Sequence, residues 1–346
     1  MLSDEEVDLY SRQVVLMDIG LEGQEKLKGA RVAILGMGGL GTPAALLLAR
    51  MGIGYLRLVD RDTVSKTDLH RQMLYHPEDV GLPKVVVAKR ELLKMNPNLE
   101  VEAVAAPLMK SNALELLDEV DAVIDGLDNI RARYILNRTI LRLRLPYVFA
   151  AAVEMFGAVS SIIPGETACL ECFYSGLRDE FLPKCAQVGV HPSLTFITAA
   201  ISVSEVVKIM TGREPSLKGK LLFVDLRNLE FDSLEVRRGP SCSACSRDST
   251  ELESVEDLPE LEASCSRDGR NVYFINNSSK LNLEFIAEIV SRKGWKIIGR
   301  GDQYLKFSSG DLSCTALEGG SIVVEVGKID FSTENRIREI REILLS

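Results

Sequence analysis

The sequence predicts an α/β fold in which a doubly wound, mainly parallel sheet continues into an antiparallel part, followed by a small C-terminal α+β module. Three observations predict this fold class. Short apolar runs alternate with helical stretches as far as Ala151, which is the pattern of parallel βαβ units. After Glu154, strand-like runs such as Ala158–Ile163 replace that alternation and indicate an antiparallel part. An acidic stretch over 251–262 then separates the C-terminal segment from the rest.

The first part of the chain has the pattern of successive strand–helix units. Ser3 and Glu6 form a capping box, which predicts a helix to about Val15. Short apolar runs predict buried strands at Arg31–Leu35, Tyr55–Asp60, Val101–Val104, Ala122–Asp125 and Pro146–Ala151. Apolar residues at helical spacing predict helices at Pro43–Met51, Val85–Met95, Ala113–Leu117 and Arg131–Leu143. Strands joined through helices in this way are expected to run parallel.

The second part has a different pattern. A helix over 193–211 is predicted, and strands are predicted at Ala158–Ile163, Leu221–Asp225 and Leu229–Val236. Residues 251–262 carry six acids and no basic residue, so we interpret 251–264 as a solvated linker. A chain of 346 residues suits about two domains, and we predict a domain over 1–250 and a module of unassigned role over 265–346. The module's predicted elements are strands at Asn271–Ile275, Trp295–Ile298, Gln303–Phe307 and Ser321–Val326, and helices at Leu283–Lys293 and Thr333–Leu345.

The composition argues against several classes of protein. The chain has 41 Lys and Arg against 50 Asp and Glu, a formal charge of −9, which argues against a duplex-DNA binder. No apolar run approaches the roughly 18 residues of a membrane span, and the acidic N-terminus lacks the apolar core of a signal peptide. We therefore expect a cytoplasmic protein with no nucleic-acid or membrane partner. In that reducing compartment, 7 cysteines point to metal binding or chemistry rather than disulfides.

A glycine-rich turn follows the first predicted strand. Gly36, Gly38, Gly39 and Gly41 lie between that strand and a helix, and Asp60 ends the next strand. Glycines let the backbone approach a phosphate, the helix N-terminus supplies N–H donors, and an acid at the next strand end can bind ribose hydroxyls. The pattern predicts a Rossmann-like nucleotide site, and alone it would point to NAD.

The polar residues after that strand do not fit a dehydrogenase. They lie in three short segments, at Asp62, Asp68, Arg71, Gln72, Lys84, Asp128 and Asn129. Basic side chains stabilise the charge that develops on a triphosphate, and an Asp can hold Mg²⁺. A nicotinamide enzyme needs no such set, so we interpret the pattern as a triphosphate site.

Four cysteines form two pairs of the Cys-x-x-Cys type, at Cys169, Cys172, Cys242 and Cys245. Two such pairs can present four thiolates to one tetrahedral Zn²⁺ ion. The alternative is four ordinary buried thiols. The spacing in a reducing compartment favours a structural zinc site that ties two distant segments together.

Taken in order, these segments resemble the ubiquitin-activating-enzyme superfamily, in particular the ThiF/MoeB-type adenylyltransferases of sulfur-carrier proteins. The resemblance covers residues 1 to about 247. The matching segments are Tyr10-Ser-Arg12-Gln13, the glycine loop, Asp60–Gln72, Gly81-Leu-Pro-Lys84, Asp128-Asn129 with Arg133, the two cysteine pairs and Lys184–Gly189.

The resemblance implies a homodimer that uses Mg·ATP to adenylate the C-terminal glycine of a ubiquitin-like sulfur-carrier protein ending in Gly-Gly. The implied roles are ribose binding by Asp60, phosphate binding by Arg71, Gln72 and Lys84, Mg²⁺ binding by Asp128, and contact of Arg12 with the partner subunit's ATP. The chain departs from the family at Asp68, where the family usually has Asn. A carboxylate beside phosphates repels them unless it faces Mg²⁺ or pairs with Arg71.

Cys185 lies outside both cysteine pairs. In the resembling family, a cysteine here lies in a crossover loop above the active site. It is implied to take the activated carboxylate as a thioester or to join a sulfur relay with a sulfur donor or conjugating enzyme. The alternative is a small buried apolar residue, and we interpret Cys265 and Cys314 in that ordinary way.

Two other functions stay open. One is adenylation of a small-molecule carboxylate by a divergent family member, and the other is a nucleotide-binding scaffold without turnover. The retained Arg12, Arg71, Lys84 and Asp128 count against the scaffold. Residues 265–346 match no second catalytic motif, so partner docking and a dimer-stabilising or inert appendage remain equal alternatives for the module.

Overall fold

The computed structural model describes residues 1–181, 188–246, 255–264, 270–327 and 333–345. The helices up to residue 246 are α1 Asp4–Leu9, α2 Ser11–Val14, α3 Gly20–Gly29, α4 Gly41–Met51, α5 Lys84–Met95, α6 Ala113–Leu116, α7 Ile130–Leu143, α8 Leu170–Phe173 and α9 Pro192–Thr211. The strands are β1 Arg31–Leu35, β2 Tyr55–Val59, β3 Glu100–Val104, β4 Ala122–Asp125, β5 Tyr147–Val153, β6 Phe156–Ile162, β7 Lys220–Asp225 and β8 Glu230–Glu235. Short 3₁₀ turns occur at Lys66–Asp68, Pro77–Asp79 and Asp179–Phe181.

An eight-stranded sheet in the order β3-β2-β1-β4-β5-β6-β7-β8 forms the centre of this part. The five strands β3-β2-β1-β4-β5 are parallel, and β6, β7 and β8 continue the sheet antiparallel. β2 is buried along its whole length, so both faces of the sheet need a cover. Apolar side chains of α4, α5 and α9 cover one face, and those of α6, α7 and α8 cover the other. The predicted fold class is confirmed.

The 20-residue helix α9 packs across this sheet. By length and composition it could cross a membrane, whereas the sequence analysis found no run that approached that length. Its apolar window is 56% buried in the structure. Glu205 on this helix is 2% exposed and accepts hydrogen bonds from Ser161 Oγ (2.8 Å) and Leu217 N (2.7 Å). Ala199, Val203 and Val206 of α9 belong to the apolar core of the large domain, so its apolar composition is that of a core helix.

The C-terminal module is a second, antiparallel sheet with two helices. Its strands are β9 Leu261–Ala263, β10 Asn271–Asn276, β11 Lys296–Gly301, β12 Tyr304–Ser309, β13 Leu312–Leu317 and β14 Ser321–Val326, in the order β11-β12-β13-β14-β10-β9. Its helices are α10 Leu283–Arg292 and α11 Thr333–Leu345. This agrees with the predicted α+β module.

The two faces of the second sheet have different covers. One face, which includes Phe307, Cys314 and Val324, packs with apolar residues of α10 and α11. On the other face, Phe274 pairs with Val323, and both side chains belong to the apolar core of the large domain. The large domain therefore supplies the cover for one side of the module.

The structure differs from the predicted linker at its C-terminal end. Leu261–Ala263 forms the edge strand β9, which pairs antiparallel with β10. Val255 and Leu258 are buried. The many acidic residues make this segment resemble a solvated linker in the sequence. In the structure, Val255 and Leu258 between them are buried, while the carboxylates face outward or pair with cations.

The N-terminal helix also differs from the prediction. It breaks at Tyr10 into α1 and α2, although the predicted capping box of Ser3 and Glu6 is present. Tyr10 is 8% exposed, and a Cβ added to Gly52 would lie 2.5 Å from its ring. Burial of this ring against a glycine therefore accompanies the break in the helix.

Candidate functional site

The glycine loop packs directly against the segment that follows β4. Gly36 has φ +91°, and a Cβ on it would lie 2.4 Å from Gly126 O. A Cβ on Gly41 would lie 1.9 Å from Gly36 O. Since backbone atoms cannot move aside cheaply, only glycine fits at Gly36 and Gly41. This close packing brings the segment that carries Asp128 beside the loop.

Asp60 connects the loop to the end of β2. Its carboxylate accepts hydrogen bonds from Met37 N (2.6 Å) and Asp62 N (2.8 Å). Tyr75 Oη donates to Met37 O (2.7 Å), which fixes the loop backbone from the other side. Burial raises the pKa of Asp60, while the nearby Lys84 ammonium lowers it. The structure thus places Asp60 at the glycine loop, as predicted.

Lys84 is buried between two carboxylates. Its Nζ lies 2.7 Å from Asp62 Oδ2 and 3.6 Å from Asp68 Oδ2, and its side chain is 6% exposed. α5 begins at Lys84, so the residue is held at a helix N-terminus. Asp62 and Asp68 on one predicted segment therefore meet Lys84 of the next segment in one network.

Asp68 has several partners, which accounts for a carboxylate at this position. Ser65 donates to its Oδ2 from both the backbone N (3.0 Å) and Oγ (2.9 Å). Gln72 Nε2 donates to its Oδ1 (2.8 Å), and Arg71 Nη2 lies 3.3 Å from the same atom. The pairing with Arg71 that the sequence analysis required is present, and Lys84 adds a second cation.

Arg71 and Gln72 lie beside the glycine loop. The Cβ position of Gly39 is 3.7 Å from Arg71 Cδ, and that of Gly38 is 3.9 Å from Gln72 Nε2. Gln72 Oε1 is buried and has no hydrogen-bond partner within the part of the chain that the structure describes. A buried acceptor left open beside a glycine loop fits a site that a donor group of a ligand completes, such as a hydroxyl; a phosphate oxygen would instead pair with Gln72 Nε2.

Asp128 and Asn129 lie at the N-terminus of α7. Asn129 caps the helix by accepting from Ala132 N (2.8 Å). Asp128 is exposed and accepts a long hydrogen bond from Asn129 Nδ2 (3.4 Å). Mg²⁺ in nucleotide sites is commonly bound through one or two carboxylates together with substrate phosphates, so an exposed Asp beside the loop fits that ion.

A buried cluster that the sequence analysis missed holds the Asp128 segment in place. Asp125 accepts from Arg133 Nε (3.1 Å), from Tyr147 Oη and from Leu127 N (2.8 Å). Arg133 also donates to Leu127 O and Ala150 O. Burial raises the pKa of Asp125, while the Arg133 charge lowers it. Arg133, named by sequence only within a segment of the family resemblance, thus bonds to the scaffold. An acid at the end of a buried strand was the signal available for Asp125.

The four paired cysteines converge on one point. The Sγ–Sγ distances are 3.9 Å for Cys169–Cys172, 3.7 Å for Cys169–Cys242 and 3.5 Å for Cys172–Cys245, and all four Sγ atoms lie within 4.8 Å of one another. Tetrahedral Zn²⁺ with Zn–S bonds of about 2.3 Å sets Sγ–Sγ distances of about 3.8 Å. The cluster is therefore compatible with zinc.

Neighbouring groups orient the cysteine cluster. Gly239 N donates to Cys172 Sγ (3.4 Å). Arg138 on α7 donates to Glu171 with Nε and Nη2 (both 2.7 Å) and to Ser243 O with Nη1 (3.0 Å). Burial raises the pKa of Cys245 to about 11. Arg138 thus joins both cysteine pairs to the helix that begins beside Asp128.

Two predicted residues lie apart from this network. Arg12 is exposed in α2, and no described contact joins it to the glycine-loop residues. Cys185, like Cys265, lies outside the described residues, so its predicted role stays a prediction. Cys314 is fully buried in the second sheet, in agreement with its ordinary interpretation.

The fold and this site define a nucleotide-binding α/β enzyme with a four-cysteine cluster. A comparison with protein families matches residues 10–244 to the ThiF family, and the chain belongs to that family.

The relatives of this chain include proteins named adenylyltransferases. The chain is 38% identical to a sulfur carrier protein adenylyltransferase from Thermus thermophilus over 73% of this chain and 95% of that protein. It is 34% identical to the SAMP-activating enzyme E1 of Haloferax volcanii over 75% of this chain and 95% of that protein. It is also 38% identical to the adenylyltransferase and sulfurtransferase MOCS3 of Anopheles gambiae, but spans only 56% of that longer protein. The chain is thus an E1-like adenylyltransferase by family.

Solved structures with similar folds include two further proteins. MccB of E. coli in complex with MccA-N7isoASN superposes with a TM-score of 0.62 at 29% identity, over 68% of this chain and 74% of that chain. PaaA superposes with a TM-score of 0.59 at 32% identity, over 68% of this chain and 75% of that chain. Another MccB structure contains ATP.

Proposed function

We propose that this protein adenylates the C-terminal glycine carboxylate of a ubiquitin-like sulfur-carrier protein. The observation that carries the proposal is the network in which Lys84 and Arg71 meet Asp62 and Asp68 beside the glycine loop. The likeness to the sulfur carrier protein adenylyltransferase over 95% of that protein supports this substrate class. In the reaction, a carboxylate oxygen attacks the α-phosphorus, the bond to the bridging oxygen breaks, and acyl-AMP and pyrophosphate form.

The residues of this chain act by positioning and by charge. Asp60 accepts hydrogen bonds from the ribose, as the acid at the end of β2, while Arg71, Gln72 and Lys84 hold phosphate oxygens. The two acids that pair with Lys84 keep its ammonium oriented until phosphates take over that pairing. Asp128 would bind Mg²⁺, which when present neutralises phosphate charge.

The proposal includes a homodimer that covers the N-terminal helices. In the sequence, Arg12 lies between Leu9 of α1 and the turn after α2, and both carry exposed apolar side chains; Met17 in that turn is 94% exposed. Clusters of exposed apolar side chains usually mark a surface that a partner covers. Covering them with a second copy would place Arg12 at the interface, where it could reach the other subunit's ATP.

A second exposed apolar surface of this chain, separate from the N-terminal helices, is available for the carrier. Phe156, Phe223 and Leu234 share one face of the antiparallel strands and are 42%, 41% and 58% exposed. We propose that the carrier docks here. The acyl group then passes from acyl-AMP to the sulfur of a thiol or sulfur donor, and AMP leaves. Cys185 is the candidate thiol in this chain, and a carrier adduct that thiol reagents cleave, seen on a non-reducing gel, tests that step.

Exchange of radiolabelled pyrophosphate into ATP tests the function. We expect exchange only when a carrier ending in Gly-Gly is added. Asp128→Ala is expected to lower the exchange rate by at least about two orders of magnitude, because charge stabilisation at the phosphates is lost. Asp118→Ala, at an exposed residue before β4 and thus at the sheet edge opposite to the glycine loop, is the matched control. Full exchange with small carboxylates and none with any carrier would favour the small-molecule alternative.

A further inference from the structure

The segments that carry Asp62 and Lys84 are bonded to each other. Thr63 and Pro83 form an isolated antiparallel bridge. Val64 N donates to Leu82 O (2.9 Å), and Lys84 N donates to Asp62 O (2.9 Å). Any group that holds this pair of segments therefore also fixes the separation of Asp62 and Lys84.

The C-terminal module holds the first segment through Arg61, which lies between Asp60 and Asp62. Arg61 Nη2 lies 2.8 Å from Glu262 Oε2 on β9, and Nη1 donates to Asn276 Oδ1 on β10 (3.2 Å). Its guanidinium also lies 4.2 Å from the ring centroid of Phe274. The Arg61 side chain is only 13% exposed, so these contacts are partly shielded from solvent.

The module holds the second segment through Lys306 on β12. Lys306 Nζ donates to Gly81 O (3.3 Å), three residues before Lys84. Gly81 has φ +88°, and a Cβ on it would lie 1.8 Å from Lys306 Nζ. The neighbouring side chains Val80 and Leu82 pack against the core that the module shares with the large domain. Burial lowers the pKa of Lys306, and Glu325 opposes that effect.

We propose that the C-terminal module is a positioning element of the nucleotide site: Glu262, through Arg61, and Lys306, through Gly81, set the spacing of Asp60, Asp62 and Lys84 that ATP requires. The module thereby acts on ATP affinity rather than on the carrier. This inference rests on the proposed function for the identity of the nucleotide, and it assigns a role to residues that had none.

The test compares four variants of the full-length protein. We call the Glu262–Arg61 and Lys306–Gly81 contacts the two braces. Lys306→Met removes the second brace, Glu262→Gln weakens the first by replacing its ion pair with a neutral hydrogen bond, and Lys306→Arg keeps a donor for Gly81 O. Lys280→Met is the matched control, because Lys280 also joins the module to the large domain, through an exposed pair with Glu115 (3.1 Å) away from the two segments. ATP affinity is measured by calorimetry without carrier, and KM and kcat by pyrophosphate exchange.

We expect each brace variant to weaken ATP binding about three- to tenfold, as for loss of one or two hydrogen bonds to charged or backbone groups. The kcat at saturating ATP and the KM for the carrier should stay within about twofold. Lys306→Arg and Lys280→Met should bind ATP as the wild type does. If Lys306→Met does not fold, Glu262→Gln supplies the test, because Arg61 keeps its other partners.

Folded Glu262→Gln and Lys306→Met proteins with unchanged ATP affinity would overturn the inference, as would a fall in kcat with no change in KM for ATP. Suppose that the protein binds ATP with the expected dependence on both braces and yet shows no pyrophosphate exchange with any carrier tested. That result would contradict the proposed function and would still support the inference about the braces. A wild-type protein that binds no ATP would overturn both.

Discussion

Asp68 lies between two cationic side chains that are proposed to bind phosphate. Arg71 and Lys84 lie 3.3 and 3.6 Å from its carboxylate oxygens. ATP must therefore compete with a buried anion for both cations. A carboxylate here orients the cations before the nucleotide arrives, at some cost in attraction for the phosphates.

Asp68→Asn tests this account, since it changes the charge at nearly constant shape. Removal of the negative charge should lower the KM for ATP about fivefold, because a phosphate then meets less repulsion. Thermal stability should fall, since the amide nitrogen cannot accept the hydrogen bonds from Ser65. Exchange kinetics and a melting curve measure the two effects, with Asp118→Asn as control at an exposed position. A raised KM for ATP would contradict the charge argument.

Much of the residue-level site could be predicted from the sequence, because charged residues near a glycine loop have few structural reasons to cluster. Asp62, Asp68 and Lys84 were each identified, and the structure joins them. The acid at the end of β4 was a signal for Asp125, but its pairing with Arg133 could not be predicted, because only the fold shows that the arginine turns inward to backbone carbonyls.

At the scale of elements, α7 links two predicted sites. It begins beside Asp128, and one face of it carries Arg138, which binds Glu171 and Ser243 of the two cysteine segments. Arg138 is 5% exposed, so its removal would leave the carboxylate of Glu171 short of its cation. Loss of the Arg138 side chain is therefore expected to destabilise both α7 and the four-cysteine cluster.

Arg138→Met should lower the free energy of unfolding by about 3 kcal/mol, the size seen when one partner of a buried ion pair is removed. Metal analysis of the wild type should give about one zinc per chain, and the variant should release zinc to a mild chelator sooner. Arg142→Met, at an exposed position on the same helix, should stay within about 0.5 kcal/mol. Equal zinc release by both variants would count against the link.

Elements with strong periodicity could be predicted, and elements fixed by tertiary contacts could not. The alternation of strands and helices identified β1 to β5, because each of these strands is a short apolar run. α3 was missed because its glycines and charges give little apolar periodicity. It is fixed by tertiary contacts, since its Leu27 is buried in the same apolar core as residues of α9. β13 was missed because Ser, Cys, Thr and Ala give a weak strand signal, although its two neighbours in the sheet impose the strand.

At the scale of the whole molecule, the described contacts leave Arg12 without a link to its own chain's glycine loop. We therefore expect it to act across a dimer. Mixing Arg12→Ala chains with Asp128→Ala chains should restore about a quarter to a half of wild-type exchange, because one site of each mixed dimer keeps both residues. Light scattering checks the dimer, and tagged chains check subunit exchange. No recovery despite proven exchange of subunits would contradict action in trans.

The shared apolar core under the second sheet has a thermodynamic consequence. Because Phe274 and Val323 are buried only when both parts are folded and docked, their burial free energy belongs to neither part alone. The module and the nucleotide-binding part are then one cooperative unit, which melts in a single transition. ATP binding to the folded protein raises the free energy of unfolding, and in a cooperative unit that increase applies to every strand. Amide protons of β10 and β14 should therefore exchange more slowly in the presence of ATP.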